Sequence, residues 1–576
     1  MWVRRFLGLG AGLVVLVGCA GPPTPAARDI ARVGTAPEPA PSHRTMNMIV
    51  RYEVADLAPK IPGQQTPVAT ERLFNAALAF IDGDEVARPY LAEALPRLNT
   101  DTWKVFPDGR METTYKLRPN LIWHDGKPLT ADDFLFAYSL YTASELADVF
   151  GPTPQDKMDG VAAPDPRTLV IRWRLPYPEA GSIVVEELEP LPRHILEPAY
   201  QAVQQDPAAR EAFAGLRFWT QDYVGAGPFK LESWVPGSHL EGSAFDGHAL
   251  GRPRIERIMV RMVGDENAVL TNVLAGGVDF TGQTSLRFEH ALVLQRDWVP
   301  AGKGNVILER GFPRMYLVQM RPEFAEHAGQ LDVRIRRALA YGIDRQALND
   351  ALFDGQGFMS ETFVPTASPY FAEVDRTVTK YPYDPRRAEQ AMAEAGYTKD
   401  REGFFANAAG QQFHTDLRVG PGIEFERGQA ILVDTWRRAG FQMSSSLNAR
   451  SPDTQSRHNF PGIAFRSGDP ERVPLSSEIG TAQNRWFGEN RGGYASREYD
   501  RLFDLYATTL DPRERTRHYA EMIKVLTDDV PMYVTNFAIG INSYSAALHG
   551  PTNKTVGHGE QRGTLPYWNI HEWELR

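Results

Sequence analysis

Residues 168–175, TLVIRWRL, alternate apolar Leu169, Ile171, Trp173 and Leu175 with Arg172 and Arg174, the period of a strand with one face in a core. RIMVRMV, 257–263, repeats the pattern with Ile258, Val260 and Met262 on one face. Elsewhere the apolar period is helical. In YDPRRAEQAMAEAGY, Ala388, Ala391, Met392 and Ala395 share a face, with Asp384 as N-cap, Pro385 at the first helical position and Gly396 as the stop. DPRERTRHYAEMIKVLTDDVP reuses the device at Asp511 and Pro512 and turns Tyr519, Met522, Ile523 and Leu526 inward. Ile335, Ala338, Leu339 and Gly342 stand at the same spacing, and a new helix restarts after Asp344. Strands and helices interleave without a strict βαβ rhythm or an internal repeat, which predicts a mixed α/β or α+β chain of several lobes.

One polar cluster invites a catalytic reading. LRPNLIWHDGKPLTADDF, 117–134, puts His124 and Asp125 a few residues before Asp132 and Asp133. Turn and cap chemistry explains the carboxylates better. Asp125-Gly126 is a turn dipeptide, Thr130 stands where an N-cap belongs, and Asp133 completes a capping box. Asp132 and Asp133 fall in the first helical turn, where the helix dipole favours negative charge. Phe134, Ala137, Tyr138 and Tyr141 form the inward stripe, and His124 and Asp125 are expected as surface turn residues.

Length and composition set the class. The 576 residues suffice for three to four domains or two lobes with insertions, and 42% hydrophobic content supports large cores. A net charge of -10 and the lack of a dense Lys/Arg block exclude a nucleic-acid partner. The start, MWVRRFLGLGAGLVVLVGCAG, has Arg4 and Arg5, then an apolar run from Phe6 to Val17 that is too short for a bilayer span and suits a signal peptide over 1–18. Cys19 is the one cysteine, so no intrachain disulfide forms. Leu16-Val17-Gly18-Cys19 resembles a bacterial lipobox, which implies a lipidated Cys19; ordinary cleavage near Gly18 or Ala20 is the alternative. The Pro/Ala-rich stretch to residue 45 reads as a tether. The sequence lacks the hydrolase elbow, the zincin motif, the P-loop and histidine pairs at zinc spacing, so no catalytic residue, metal site or cofactor is expected.

A set of segments then carries a family resemblance. LAEALP (91–96), YKLRPNLIWHDGKPLTADDFLFAY, GAGPFKLESWVPG (225–237), NVLAGGVDF (272–280), VRIRRALAYGIDR (333–345) and REYDRLFDLYATTLDPRERTRHYAEMIKVLTDDVPMYV (497–534) occur in one order over nearly the whole body. Together they resemble the extracytoplasmic solute-binding proteins, family 5, of ABC importers, the dipeptide/oligopeptide/nickel-binding type. The resemblance implies a two-lobed α/β fold of the type II periplasmic-binding-protein kind with an extra inserted domain. Domain I would comprise 46–88, 222–306 and 535–576, domain II 89–221, and domain III 307–534, with the ligand in a hinge cleft. It implies a monomeric, lipid-anchored receptor on the periplasmic or extracellular face of a bacterial envelope, handing peptides or peptide-like solutes to ABC permease subunits. A secreted hydrolase on the same scaffold, or a ligand-sensing lipoprotein without transport, are the alternatives.

The resemblance also implies where the cleft residues fall. Peptide binders of the family carry an acid four residues before a proline in domain III, where it pairs with the ligand ammonium; in NFPGIAFRSGDPERV that position is Arg466. Three readings stand. Arg466 faces the cleft and takes an anionic group, it pairs internally with Asp469 or Asp453, or a shifted loop puts Asp469 in the ammonium site. PGQQ (62–65) offers Gln64 and Gln65 to a ligand backbone. RWFGENRGGY (485–494) offers Trp486, Asn490 and Tyr494, with loop anchoring as the competing role of the aromatics. GAGPF (225–229) reads as a turn where the chain crosses back between domains.

Overall fold

The computed structural model describes residues 45–58, 60, 67–151, 153–282, 285–448, 454–468, 470–552 and 566–576. The leader, Cys19, the tether, Gln64, Gln65, Asp453 and Asp469 lie outside the described residues.

Ten strands build one mixed sheet: β1 (Thr45–Val50), β2 (Phe229–Val235), β3 (His239–Ala244), β4 (Arg257–Met262), β5 (Phe280–Thr281), β6 (Gly304–Val318), β7 (His414–Val419), β8 (Gln442–Leu447), β9 (Ile463–Arg466) and β10 (Met532–Ser545). Their order is β8-β7-β9-β6-β10-β5-β1-β4-β3-β2. The antiparallel neighbours β6 and β10, 15 and 14 residues long, are shared by both halves of the sheet. The expected domain boundaries at 306/307 and 534/535 both fall inside these two strands. Their ladder breaks register between Arg310 and Pro313 and again between Arg314 and Met315. Proline has no N–H to give a ladder, and a bulge bends the strand that carries it.

Strand direction fixes where each half presents its ends. In the first half β1 runs parallel to β4 and β5, and Met48 pairs Phe280, which pairs Tyr544, which pairs Asn305. The carboxyl ends of β1, β4 and β5 therefore point along β6 toward the break. In the second half β9 is antiparallel to β6, with Arg466 opposite Met315 and Ile463 opposite Val318. The strands β7 and β8 run parallel to β9, so their carboxyl ends approach the break from the other side.

A four-stranded antiparallel sheet, ordered Trp103–Val105, Met111–Lys116, Thr168–Trp173, Met158–Asp165, packs with the first half. One core joins Met46, Met48 and Val260 to Trp123, Trp173 and Trp573. The second half has a core on each face of its sheet, one around Leu417, Trp436 and Ile463, the other around Met315, Leu317 and Tyr519. Leu169, Ile171 and Trp173 are fully buried, but Leu175 lies beyond the end of its strand and is 53% exposed. The helices at 385–394 and 512–529 start at Asp384 and Asp511, whose carboxylates accept from Arg386 and Arg387, and from Arg513 and Glu514.

Thr130 and Asp133 make the capping box, with the Thr130 N–H donating to Asp133 Oδ2 at 2.8 Å. His124 departs from its expected surface position and is 5% exposed. Its Nδ1 accepts from the Gly225 N–H at 3.2 Å, and its Nε2 lies 3.1 Å from the Gly227 carbonyl. Gly225 and Gly227 in turn press against the Phe74 backbone so closely that a Cβ at either would collide with it. The histidine therefore clamps the crossing strap at GAGPF, a tertiary contact about a hundred residues away that the turn motif cannot announce. Burial first, and the nearby Lys230 charge, push its pKa down to about 4, so the ring is neutral.

Candidate functional site

The two sets of parallel strand ends face one another across the bend of β6 and β10. Ligands of open α/β sheets sit outside the carboxyl ends of the strands, so this crevice is the candidate site. A hinge cleft of this kind, two halves joined by a pair of crossing strands, defines the molecule as a two-lobed binding protein.

The second half supplies the better-defined wall. Arg466 ends β9 and is mostly buried, but its guanidinium pairs with Glu489 and also donates to the Ser467 carbonyl. Glu489 was not among the acids weighed from sequence, and those two, Asp453 and Asp469, lie outside the described residues. Gly468 (φ +152°) allows this fold-back, since a Cβ there would lie 2.8 Å from the Arg466 guanidinium. Arg314, at the strand break, pairs with Glu424 at 3.0 Å and stacks on Phe425 and Phe465, 4.9 and 5.6 Å from the ring centres.

The loop 485–494 uses most of its predicted residues on itself. Asn490 is buried: its amide donates to the Leu475 and Tyr494 carbonyls at 2.9 and 2.7 Å, and its Oδ1 accepts from the Gly493 and Tyr494 N–H groups. Tyr494 is buried and donates to Asp529 Oδ2 at 2.6 Å. Trp486 is half-buried with φ +61°, its ring 6.2 Å from Phe324 and 5.8 Å from His458. These contacts give Asn490 and Tyr494 the work of holding the loop, and Trp486 that of anchoring it.

What sequence reading missed lies between them. Arg418 on β7 stands opposite Ala464 on β9, which puts it on the same sheet face as Arg466, two residues farther from the bend. Together with Arg457 and Arg491 it lines a small recess of about 20 Å³ floored by Leu317, Phe460 and Ala464. Burial, then the charge of Arg457, lowers the Arg491 pKa to about 10. Burial and the charges of Arg321, Arg491 and Arg457 bring neighbouring His458 down to about 4, so it adds no proton there at neutral pH. Among the described residues no carboxylate is within ion-pair distance of Arg418, Arg457 or Arg491. Arg418 Nε donates to Ser446 Oγ at 3.3 Å, and that hydroxyl donates to Asp416 at 2.6 Å. No sequence signal links positions 418, 457 and 491; only the β7–β9 pairing and the two loops bring them together. Another recess of about 40 Å³, between Arg345, Tyr381, Leu526 and Tyr533, belongs to the interior of the second half and not to the strand ends.

Comparison with known proteins agrees with this class. The family model of bacterial extracellular solute-binding proteins, family 5 (middle), matches residues 93–464. That is well over half of the 576 residues, and the chain belongs to this family. Its members are binding proteins and not enzymes. The oligopeptide-binding protein AppA of Bacillus subtilis is 22% identical over 437 residues, covering 74% of this chain and 75% of that protein. NikZ of Campylobacter jejuni, solved with Ni(L-His), superposes with a TM-score of 0.70 at 21% identity, covering 92% of this chain and 99% of that one. The oligopeptide-binding protein of Thermus thermophilus, solved with a pentapeptide, gives 0.69 at 20% identity over 93% and 97%. These likenesses carry the two-lobed fold.

Proposed function

We propose that the chain is the solute-capturing subunit of a bacterial ABC importer, which closes two lobes on a peptide or peptide-like solute and presents it to a membrane permease. The observation that carries this reading is the opposition of two sets of parallel strand ends across the bent pair β6 and β10. A bend in two strands gives the halves a hinge, beside which Phe353 of the second half packs 5.6 Å from Phe288 of the first, and closure buries whatever lies between. The names of the relatives, an oligopeptide binder among them, agree with a peptide-like solute. The expected partition of the body into domains I, II and III and the lipid anchor on Cys19 belong to the same reading. So do the monomeric state and a place on the outer face of a bacterial membrane.

Two measurements test it. Native mass spectrometry of the protein purified without refolding, followed by titration with a tri- to pentapeptide library, is expected to find a bound solute. Small-angle scattering is expected to show a smaller radius of gyration with it. A folded protein that binds no library member, brings none from its host and keeps one radius throughout would refute the capture function. Cys19→Ala is expected to move the protein from the membrane to the soluble fraction; retention on the membrane would remove the lipid anchor from the reading.

A further inference from the structure

We infer that Arg418, Arg457 and Arg491 form an oxyanion subsite, so that the captured solute carries a carboxylate or phosphate group seated against the second lobe. This rests on the capture function proposed above and names the ligand class. Four observations carry it.

The three guanidinium groups come from separate segments, the end of β7 and two loops, and meet around one recess. The chain as a whole carries a net charge of -10, so a local excess of three positive charges is no background property of this protein. Arg418 and Arg491 are partly buried, and like charges held together away from water repel one another unless an anion joins them. Among the described residues the nearest acid in the bonded chain, Asp416, reaches Arg418 through the Ser446 hydroxyl and leaves the recess itself without a carboxylate.

The contrast with Arg466 sharpens the assignment. That residue, closer to the bend on the same face, is already matched by Glu489, so its charge is compensated within the protein. Arg314 is likewise matched by Glu424. Arg466 and Arg314, with Arg310 beside them paired to Glu85, thus have protein counter-charges, and among the described residues Arg418, Arg457 and Arg491 do not. A planar guanidinium offers forked N–H pairs that suit carboxylate and phosphate oxygens alike, and several around one recess select an oxyanion over a neutral amide. The recess itself is small, about 20 Å³, so an oxyanion meets the guanidinium groups at its mouth and the rest of the solute stays in the cleft.

Matched peptides decide the matter. Two C-terminally amidated pentapeptide libraries, without a terminal carboxylate, differ only in that one position holds Asn, Gln or Ser in the first, and Asp, Glu or phosphoserine in the second. Affinities are measured by calorimetry at low and high salt. The acidic members are expected to bind the native protein at least tenfold more tightly, with an advantage that shrinks as salt rises. The Asp, Glu and phosphoserine arms show which oxyanion fits. Arg457→Gln is expected to abolish the preference and Arg457→Lys to retain part of it. Arg457 is exposed, so these variants test the charge without threatening the fold. Arg418→Gln is expected to act in the same direction. Arg438→Gln, on an exposed helical face where it pairs with Asp434, is expected to leave the preference unchanged. Neutral members binding as tightly as acidic ones would overturn the subsite while leaving the capture function standing, as would a preference that survives Arg457→Gln. If no member of either library binds the folded protein, the subsite falls, and the capture function falls with it only if the protein also brings no solute from its host and keeps one radius.

Discussion

At the scale of single residues, His124 separates what a motif announces from what packing decides. WHDG was legible as a turn and TADD as a helix start, because both rest on neighbours within four residues. The partners of His124 are at 225 and 227, and no local pattern points to them. Removing the ring in His124→Ala leaves a buried N–H and a carbonyl short of partners, at a cost of about 2–4 kcal/mol by chemical denaturation at pH 7.5. The sign of its pH dependence follows from its depressed pKa. An unfolded histidine takes its proton near 6.5 and the folded one near 4, so its stabilisation is intact above 6.5 and lost as pH falls toward 4. Between pH 7.5 and 5 the gap between native protein and His124→Ala is expected to narrow by about 2 kcal/mol. A gap that stays constant would show that the ring titrates alike in the folded and unfolded states and that burial does not hold it neutral. Asn490 was legible only as a polar residue in a glycine-rich loop. Asn490→Ala is expected to raise hydrogen exchange and protease cleavage over 475–494, because four loop hydrogen bonds depend on that one amide.

At the scale of elements, helices with an Asp cap and a proline at the first position were read from sequence to within a residue or two, because their start signals are local. The long crossing strands were not. GNVILERGFPRMYLV contains Gly311 and Pro313 and reads as interrupted, yet β6 spans it, with its partner β10 bridging the interruption. The same strand carries Glu309, 3% exposed and close to Asn542, and burial raises its pKa to about 7. A carboxyl raised in this way stabilises the fold below about 4.5, and that contribution is lost as pH climbs to 7. Glu309→Gln is therefore expected to be more stable than the native chain at pH 8, by up to roughly 3 kcal/mol, and near equal to it at pH 4.5. Melting curves at the two pH values check this. Equal shifts at both would mean that burial does not raise the Glu309 pKa above its unfolded value.

At the scale of the whole molecule, the family signature was legible because many short segments recur in order, while the charge pattern of the cleft was not. The anion-facing wall depends on which arginines found a protein carboxylate, and that is settled only by assembled loops. The two halves also touch away from the bend. Glu179, before the helix at 185–188, pairs with Arg515 of the helix at 512–529, which stacks on Tyr506 at 4.5 Å. Glu179→Gln is expected to enlarge the radius of gyration of the solute-free protein in scattering, and an unchanged radius would show that the pair does not hold the lobes. Among the described residues the chain passes between the halves only along β6 and β10. Two laddered strands behave as a flexure: their backbone resists stretching, while twist and bend at an irregular rung cost little. Opening then has in effect one mechanical coordinate. A membrane partner that gauges a single separation between two points, one on each lobe, can tell a loaded receptor from an empty one without touching the solute.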